Sequence, residues 1–171
     1  TTSPLAELSI TKLIPPTGLN SVKTIGDRAF VDCKSLTSIN ISNSLKTIGN
    51  LAFSGCESII NINIPNSVKT IGISAFWACY SLTSINIPNS VTTIGDRAFQ
   101  IAIPHNINIP NSVKTIGNLA FDYCFSLTNI NIPNSVTNIG DYAFWECTSL
   151  TNINIPDSVT NIGEGAFMLC I

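Results

Sequence analysis

A block of 23 residues recurs along most of the chain and constrains its fold more than any other feature. One copy runs from Ser67 to Asn89 and reads SVKTIGISAFWACYSLTSINIPN. Equivalent serines lie 23 residues apart, except for one step of 22: Ser21, Ser44, Ser67, Ser90, Ser112, Ser135 and Ser158. A fixed period of this length is typical of a solenoid, in which each copy forms one coil and neighbouring coils share a core. The sequence therefore predicts one elongated domain.

The two ends of the chain depart from the repeat. Residues 1–20 keep apolar content but lose the frame, which is typical of a cap that shields the first coil. Residues 21–171 then form seven repeats, and the last is incomplete because it stops at Cys170 and Ile171. An uncapped coil would expose apolar side chains and a strand edge, so we expect this end to favour self-association or docking into a larger assembly.

Each copy contains the same series of local structure signals. Ile85 and Ile87 flank Asn86, an alternation typical of a short half-buried strand, and Pro88 ends it. Gly95 is expected to allow a sharp bend. In five copies Asp or Asn follows this Gly, and the Ala-Phe pair and Cys beyond it are spaced as on one face of a helix. We therefore predict one strand, one corner and one short helical turn in each coil.

The strand pattern L-x-x-I-x-I resembles that of leucine-rich repeats. The fuller pattern I-P-x-S-V-x-x-I-G-x-x-A-F-x-x-C-x-S-L-T-x-I-x-I resembles the BspA-like subclass and covers about residues 21–171. This resemblance implies an α/β solenoid, a right-handed superhelix with a concave parallel β-sheet and short helical turns on the convex side. It also implies a protein that is secreted or displayed at the cell surface and binds host or partner proteins.

Six cysteines occupy one slot of the repeat: Cys33, Cys56, Cys79, Cys124, Cys147 and Cys170. In-phase side chains run parallel, which does not suit the geometry of a disulfide, and no CxxC pair is present to hold zinc. Cysteine is also among the most frequently buried residue types. We therefore predict free thiols that fill the core, with no metal and no cofactor.

Catalysis and charged partners find little support in the composition. His105 is the only histidine, it lies in an irregular fourth copy, and no neighbouring residue would orient it as a base. Charged residues make up 11% of the chain and the net charge is −2, which excludes a broad basic field for nucleic acid. No apolar run is long enough to span a membrane as a helix. We predict a protein that is soluble, non-enzymatic and free of direct membrane insertion.

Two surfaces remain as candidate binding sites. The first is a lattice of Asn on the predicted concave sheet, where identical amides could bind a polysaccharide; the alternative is a solvated row of stacked amides. Its candidate residues are Asn63, Asn86, Asn108 and Asn131.

The second surface is a set of aromatic residues in variable slots beside the Phe and Cys. Aromatic side chains are favoured at protein interfaces, although these rings could also simply cover the helical turns. The candidates are Trp77, Tyr80, Tyr123, Phe125, Tyr142 and Trp145. We therefore predict a protein-binding or adhesion module that is secreted or at the cell surface. The alternatives are a polysaccharide-binding surface and a structural subunit.

Overall fold

The computed structural model describes residues 21–102 and 104–170, and the predicted cap at 1–20 lies outside them. Short strands joined by turns make up this part of the chain. Five strands have three residues: β3 (Asn61–Asn63), β5 (Ser84–Asn86), β7 (Asn106–Asn108), β9 (Asn129–Asn131) and β11 (Asn152–Asn154). Seven have two: β1 (Thr24–Ile25), β2 (Thr47–Ile48), β4 (Thr70–Ile71), β6 (Thr93–Ile94), β8 (Thr115–Ile116), β10 (Asn138–Ile139) and β12 (Asn161–Ile162).

The strands form two parallel sheets that run along the stack of coils. The first sheet has the order β1-β2-β4-β6-β8-β10-β12, and the second has the order β11-β9-β7-β5-β3. Equivalent residues pair from coil to coil, so Ile62 lies beside Ile85. The pairing continues through the shortened fourth copy, where Thr93 pairs with Thr115. The predicted parallel sheet is therefore confirmed, but the stretch predicted as a corner forms a second sheet.

A stack of phenylalanines occupies the core beside the sheets. Neighbouring ring centroids are 5.1–5.5 Å apart and the ring planes are inclined by 1–10°. The stack contains Phe30, Phe53, Phe76, Phe99, Phe121, Phe144 and Phe167. Offset parallel rings gain contact beyond simple burial, so the invariant Phe of each copy joins each coil to the next.

The predicted helical turns are wrong for the residues that the structure describes. The segment around each Phe is a run of tight turns in which the N–H of Ala29 donates to Gly26 and that of Cys33 donates to Phe30, three residues back. Every second backbone N–H instead donates to a carbonyl of the next coil, as the N–H of Phe30 does to the carbonyl of Ala52 at 2.8 Å. A helix would use all these groups within one segment. Here they join neighbouring coils instead.

We call these runs of tight turns around each Phe, with their hydrogen bonds to the next coil, the turn ladder. The turn ladder holds non-glycine residues in the left-handed region of φ. Two slots of every coil have φ between 52° and 71°, and twelve of the residues there carry a Cβ. Leu119, at φ 56°, is one of them, and its N–H donates to the carbonyl of Asp141 in the next coil. The left-handed conformation costs roughly 1 kcal/mol for a residue with a Cβ. The hydrogen bonds between coils offset this cost and impose the conformation.

In five copies, the Asp or Asn that follows the in-phase glycine accepts a hydrogen bond from the next coil. Asp27 Oδ1 accepts the N–H of Asn50 at 2.7 Å, and Asn50 Oδ1 accepts that of Ile73 at 2.8 Å. Asn118 and Asp141 continue the pattern. These side chains were predicted to start a helical turn in their own coil. The structure uses them as an acceptor ladder between coils.

The in-phase glycines from Gly49 onward lie close against the backbone of the preceding coil. A Cβ built on Gly72 would lie 2.5 Å from the carbonyl carbon of Gly49 in the preceding coil. Real Cβ atoms do not approach backbone so closely. Positive φ among the described glycines occurs at Gly55 and Gly165, which lie outside this slot. The slot requires glycine because there is no room for a Cβ atom. The predicted role of this glycine in a sharp bend is therefore wrong.

The cysteines serve both packing and hydrogen bonding. Cys79 Sγ donates to the carbonyl of Phe53 at 3.2 Å, and Cys124 Sγ donates to that of Phe99 at 3.3 Å. Burial raises the pKa of Cys56 to about 12 and that of Cys79 further still. Four of the thiols are buried and all six are free. The predicted role as core-filling thiols is confirmed, and each of the four buried thiols also bonds to the Phe carbonyl of the preceding coil.

Candidate protein-binding surface

The turn ladder places one variable side chain per coil in the same slot, so that these side chains form a row along the stack. The N–H of Trp77 bonds to Ser74 within its coil, and its carbonyl accepts the N–H of Gly55 from the coil before. Because both groups are held, the side chain direction is set by the backbone. The row contains Val31, Ser54, Trp77, Gln100, Asp122, Trp145 and Met168.

Four of the predicted aromatic residues form one group, which we call the aromatic cluster: Tyr123, Phe125, Tyr142 and Trp145. The ring of Tyr123 lies 5.4 Å from that of Phe125 and 5.2 Å from that of Trp145. Tyr142 lies 5.7 Å from Trp145. The ring planes are inclined by 51–67°, unlike the parallel stack of the core. Phe125 is 43% exposed, so the cluster lies at the surface.

Trp77 and Tyr80 lie at the surface apart from this group. They are 36% and 45% exposed. Gln100 and Asp122 stand between Trp77 and Trp145 in the row. Within the described residues, no ring contact joins Trp77 or Tyr80 to the cluster. The six predicted aromatics therefore divide into one cluster of four and two separate residues.

Asp122 is a buried carboxylate beside the cluster and was not predicted as a site residue. It is only 1% exposed, and its Oδ2 accepts a hydrogen bond from Gln100 Nε2 at 2.5 Å. Its Oδ1 is buried without a hydrogen-bond partner. Burial raises the pKa of Asp122 from 3.8 to about 6. Trp145 Nε1, in the same row, is likewise buried without a partner.

Other carboxylates lie around the cluster. The hydroxyl of Tyr142 donates to Glu164 Oε1 at 2.8 Å, and this bond raises the pKa of Tyr142. Partial desolvation, followed by the charges of Glu146 and Asp122, raises the pKa of Tyr123. The surface is therefore both aromatic and acidic. A signal for this was present in the sequence, since every Lys and Arg lies at or before Lys114.

The Asn lattice is exposed along the five-stranded sheet. In β3, β5 and β9 the two outer residues face solvent and the central Ile is buried. The four candidates Asn63, Asn86, Asn108 and Asn131 are all exposed. Among the described side chains of these rows, no amide donates to the amide of the next coil. Such a bond occurs in the other sheet, where Asn161 Nδ2 donates to Asn138 Oδ1 at 2.7 Å.

His105 lies at the surface, and its Nδ1 is 3.4 Å from the carbonyl oxygen of Ser126. Across residues 21–102 and 104–170, no group of three or more His, Cys, Asp or Glu side chains could hold a metal ion. In the same part of the chain, no helix has the length and apolar character needed to cross a membrane.

The family model of the BspA type leucine rich repeat region matches residues 6–118 and 102–171, in six copies. The chain belongs to this family. Repeats of this kind generally serve as non-enzymatic scaffolds for protein interaction. The BspA-type pattern that the sequence predicts is thus confirmed, and the turn ladder is the form that its Ala-Phe-Cys segment takes here.

Solved structures of bacterial leucine-rich repeat proteins share this fold. A leucine-rich repeat protein of T. pallidum is 34% identical, with a TM-score of 0.81, over 87% of this chain and 70% of that one. One from Bacteroides ovatus is 33% identical, with a TM-score of 0.69, over 86% of this chain and 45% of that one. A leucine-rich cell surface protein of Faecalibacterium prausnitzii is 28% identical, with a TM-score of 0.56, over 88% of this chain and 55% of that one. No curated protein matched the chain.

Proposed function

We propose that this chain is a protein-binding module that acts outside the cell or at its surface, and that the aromatic cluster is the centre of its contact surface. The observation that carries the proposal is the grouping of Tyr123, Phe125, Tyr142 and Trp145 at neighbouring coils. Five of the other six coils carry Val, Ser, Gln, Asp or Met in the row of Trp145, so the fold itself does not require the tryptophan.

Physical chemistry supports an interface at this place. Tyr and Trp are enriched among the residues that dominate binding energy, and they lose little conformational entropy when they are immobilised. The turn ladder fixes the backbone beneath them through hydrogen bonds in both directions. A preformed aromatic surface on a rigid scaffold loses less entropy on binding than a mobile loop. The family membership and the surface location of one structural relative support the same role.

Photo-crosslinking tests this role. p-Benzoylphenylalanine is placed at Phe125 in one protein and at Asn108 in another, and each is irradiated with the proteins of its native surroundings. We expect one defined adduct from position 125, which disappears when Trp145→Ala is added. An adduct that forms equally from position 108, or that is unaffected by Trp145→Ala, would overturn the proposal.

A polysaccharide-binding role for the Asn lattice is the second candidate. It is favoured by the exposure of the amides and by the lack of amide-to-amide bonds among the described side chains of these rows. The test is a glycan array read with the wild type and with the double variant Asn86→Ala/Asn108→Ala. Glycan binding that the double variant retains would eliminate this candidate. Self-association through the last coil stays a prediction.

A further inference from the structure

We propose that the aromatic cluster, with Asp122 and Glu146, forms a binding site for a cationic side chain, an arginine of the protein partner. This inference rests on the proposed protein-binding role of the same surface and names the group that the surface receives.

The inclined rings of the cluster suit a cation. The core phenylalanines stack in parallel and cover one another, whereas Trp145 is inclined by 51° to Tyr123 and by 59° to Tyr142. Ring faces carry negative potential, and a guanidinium within about 6 Å of a ring centroid is attracted to them. Trp offers the strongest such attraction and Arg is the more frequent partner. The cluster thus has the ring types and angles of a cation-accepting surface.

The charge around the cluster points the same way. The charges of Glu146 and Asp122 act on Tyr123, and those of Glu164 and Asp141 act on Tyr142. No Lys or Arg follows Lys114 in the sequence. Lys34 lies towards the other end of the chain, where its Nζ forms an ion pair with Glu57 Oε1 at 2.8 Å. Arg97 is the one described cation that lowers the pKa of Asp122, and its effect is the smallest of those that act on it. The cluster therefore carries negative charge that the described residues leave largely uncompensated.

The carboxylate of Asp122 is a second observation beside the acidic charge. Asp122 is 1% exposed, and its Oδ1 is buried without a hydrogen-bond partner. A buried carboxylate without full compensation is costly, and a cation held at the rings of the adjacent cluster reduces that cost electrostatically. An anionic ligand would meet the same carboxylates with repulsion. A neutral ligand would leave the charge of Asp122 uncompensated.

Arginine fits better than lysine for reasons of geometry. Its planar guanidinium stacks on aromatic rings and still presents donors at its edge to a carboxylate such as Glu146. A lysine ammonium is compact and strongly hydrated, and it contacts either the rings or a carboxylate but not both. We therefore expect arginine to bind more tightly than lysine, and lysine more tightly than any neutral side chain.

The test uses the whole chain and three short peptides: Ac-Gly-Arg-Gly-Arg-Gly-amide, the same peptide with citrulline for arginine, and the same peptide with glutamate. Citrulline has the shape of arginine without the charge. Binding is followed by ¹H–¹⁵N correlation spectra, with the backbone N–H of Tyr123 and the indole N–H of Trp145 as reporters. We expect the arginine peptide to bind about tenfold more tightly than the citrulline peptide, and the glutamate peptide to cause no shift.

Substitutions show which residues bind the arginine peptide. Trp145→Leu and Glu146→Gln should each weaken binding of the arginine peptide about fivefold, while Tyr80→Leu, an exposed aromatic outside the cluster, should leave it unchanged. Equal binding of the arginine and citrulline peptides, or no shift with either, would overturn the cationic assignment. If Trp145→Ala still abolishes the crosslinked adduct in that case, the protein-binding role stands and only the cationic assignment fails.

Discussion

Asn50 Oδ1 accepts a hydrogen bond from the backbone N–H of Ile73 in the next coil at 2.8 Å. The same bond joins Asp96 to Asn118 and Asp141 to Glu164. Ile73 itself offers no acceptor to the following coil. The acceptor ladder is therefore interrupted once in the middle of the stack, by a residue that is also half exposed.

Substitutions in this ladder should act in opposite directions. Asn50→Ala removes the acceptor of the Ile73 N–H and should destabilise the fold by about 1 kcal/mol. Ile73→Asn supplies an acceptor to the coil of Asp96 and should stabilise by about 0.5 to 1 kcal/mol. Chemical denaturation measures both. A stabilising Asn50→Ala, or an Ile73→Asn that is destabilising, would contradict the ladder.

The left-handed slots provide a second prediction. Arg28 has φ 59° and an exposed side chain, and its N–H donates to the carbonyl of Asn50. Arg28→Gly removes the Cβ from this conformation and should raise the free energy of unfolding by about 1 kcal/mol, although glycine adds chain entropy to the unfolded state. Arg28→Ala keeps the Cβ and is the matched control, with little change expected. If both variants are destabilised alike, the left-handed slot carries no cost.

Close approach at the corner glycines can be measured by comparing two of them. A Cβ on Gly72 would lie 2.5 Å from the backbone of the preceding coil, whereas one on Gly95 would lie 3.0 Å from it. Gly72→Ala should therefore destabilise by about 2 to 3 kcal/mol and Gly95→Ala by about 1 kcal/mol. Thermal or chemical denaturation provides the comparison. Equal effects would mean that conformation, and not volume, selects glycine.

The buried Asp122 gives the fold a pH dependence. Its pKa rises from 3.8 to about 6 on folding, chiefly through burial. The folded state then holds the proton more tightly, so stability from this group is complete below pH 4 and is lost as the pH rises through about 6. Asp122→Asn should be more stable than the wild type at pH 7.5, by on the order of 2 kcal/mol, and this advantage should vanish near pH 4.

Denaturation of both proteins across this range measures the difference. Asp157→Asn, at an exposed turn, serves as the control for the change in net charge. An Asp122→Asn advantage that stays constant from pH 4 to 7.5 would show that the carboxylate is not the group responsible.

The sequence predicts the coil and the three-residue strands well because both depend on patterns that repeat. Ile85 and Ile87 alternate with Asn86, and only a half-buried strand satisfies that alternation in every copy. The turn ladder could not be predicted in the same way. Asp96 followed by Ala98 and Phe99 fits a helix start as well as it fits the observed turns. The difference lies in where the amides bond, which is decided by the neighbouring coil.

The sequence identified the residues of the aromatic cluster but could not show how they group. Aromatic residues such as Trp145 are recognisable by type, and their variable slot was visible in the sequence. Their division into a cluster and two separate residues depends on which side chains meet between coils. Asp122 gave only a weak signal, since a carboxylate in a variable slot is normally solvated. Its burial is accompanied by a hydrogen bond from Gln100 of the preceding coil, which the sequence alone does not reveal.

The central claim is that binding occurs through the aromatic cluster and not through the Asn lattice. The direct test is calorimetric titration of the partner captured at position 125 into three proteins: wild type, Tyr123→Ala/Trp145→Ala and Asn86→Ala/Asn108→Ala. We expect a loss of at least about 2 kcal/mol for the aromatic double variant and less than about 0.5 kcal/mol for the asparagine double variant. An aromatic double variant that binds within about 1 kcal/mol of the wild type would contradict the claim.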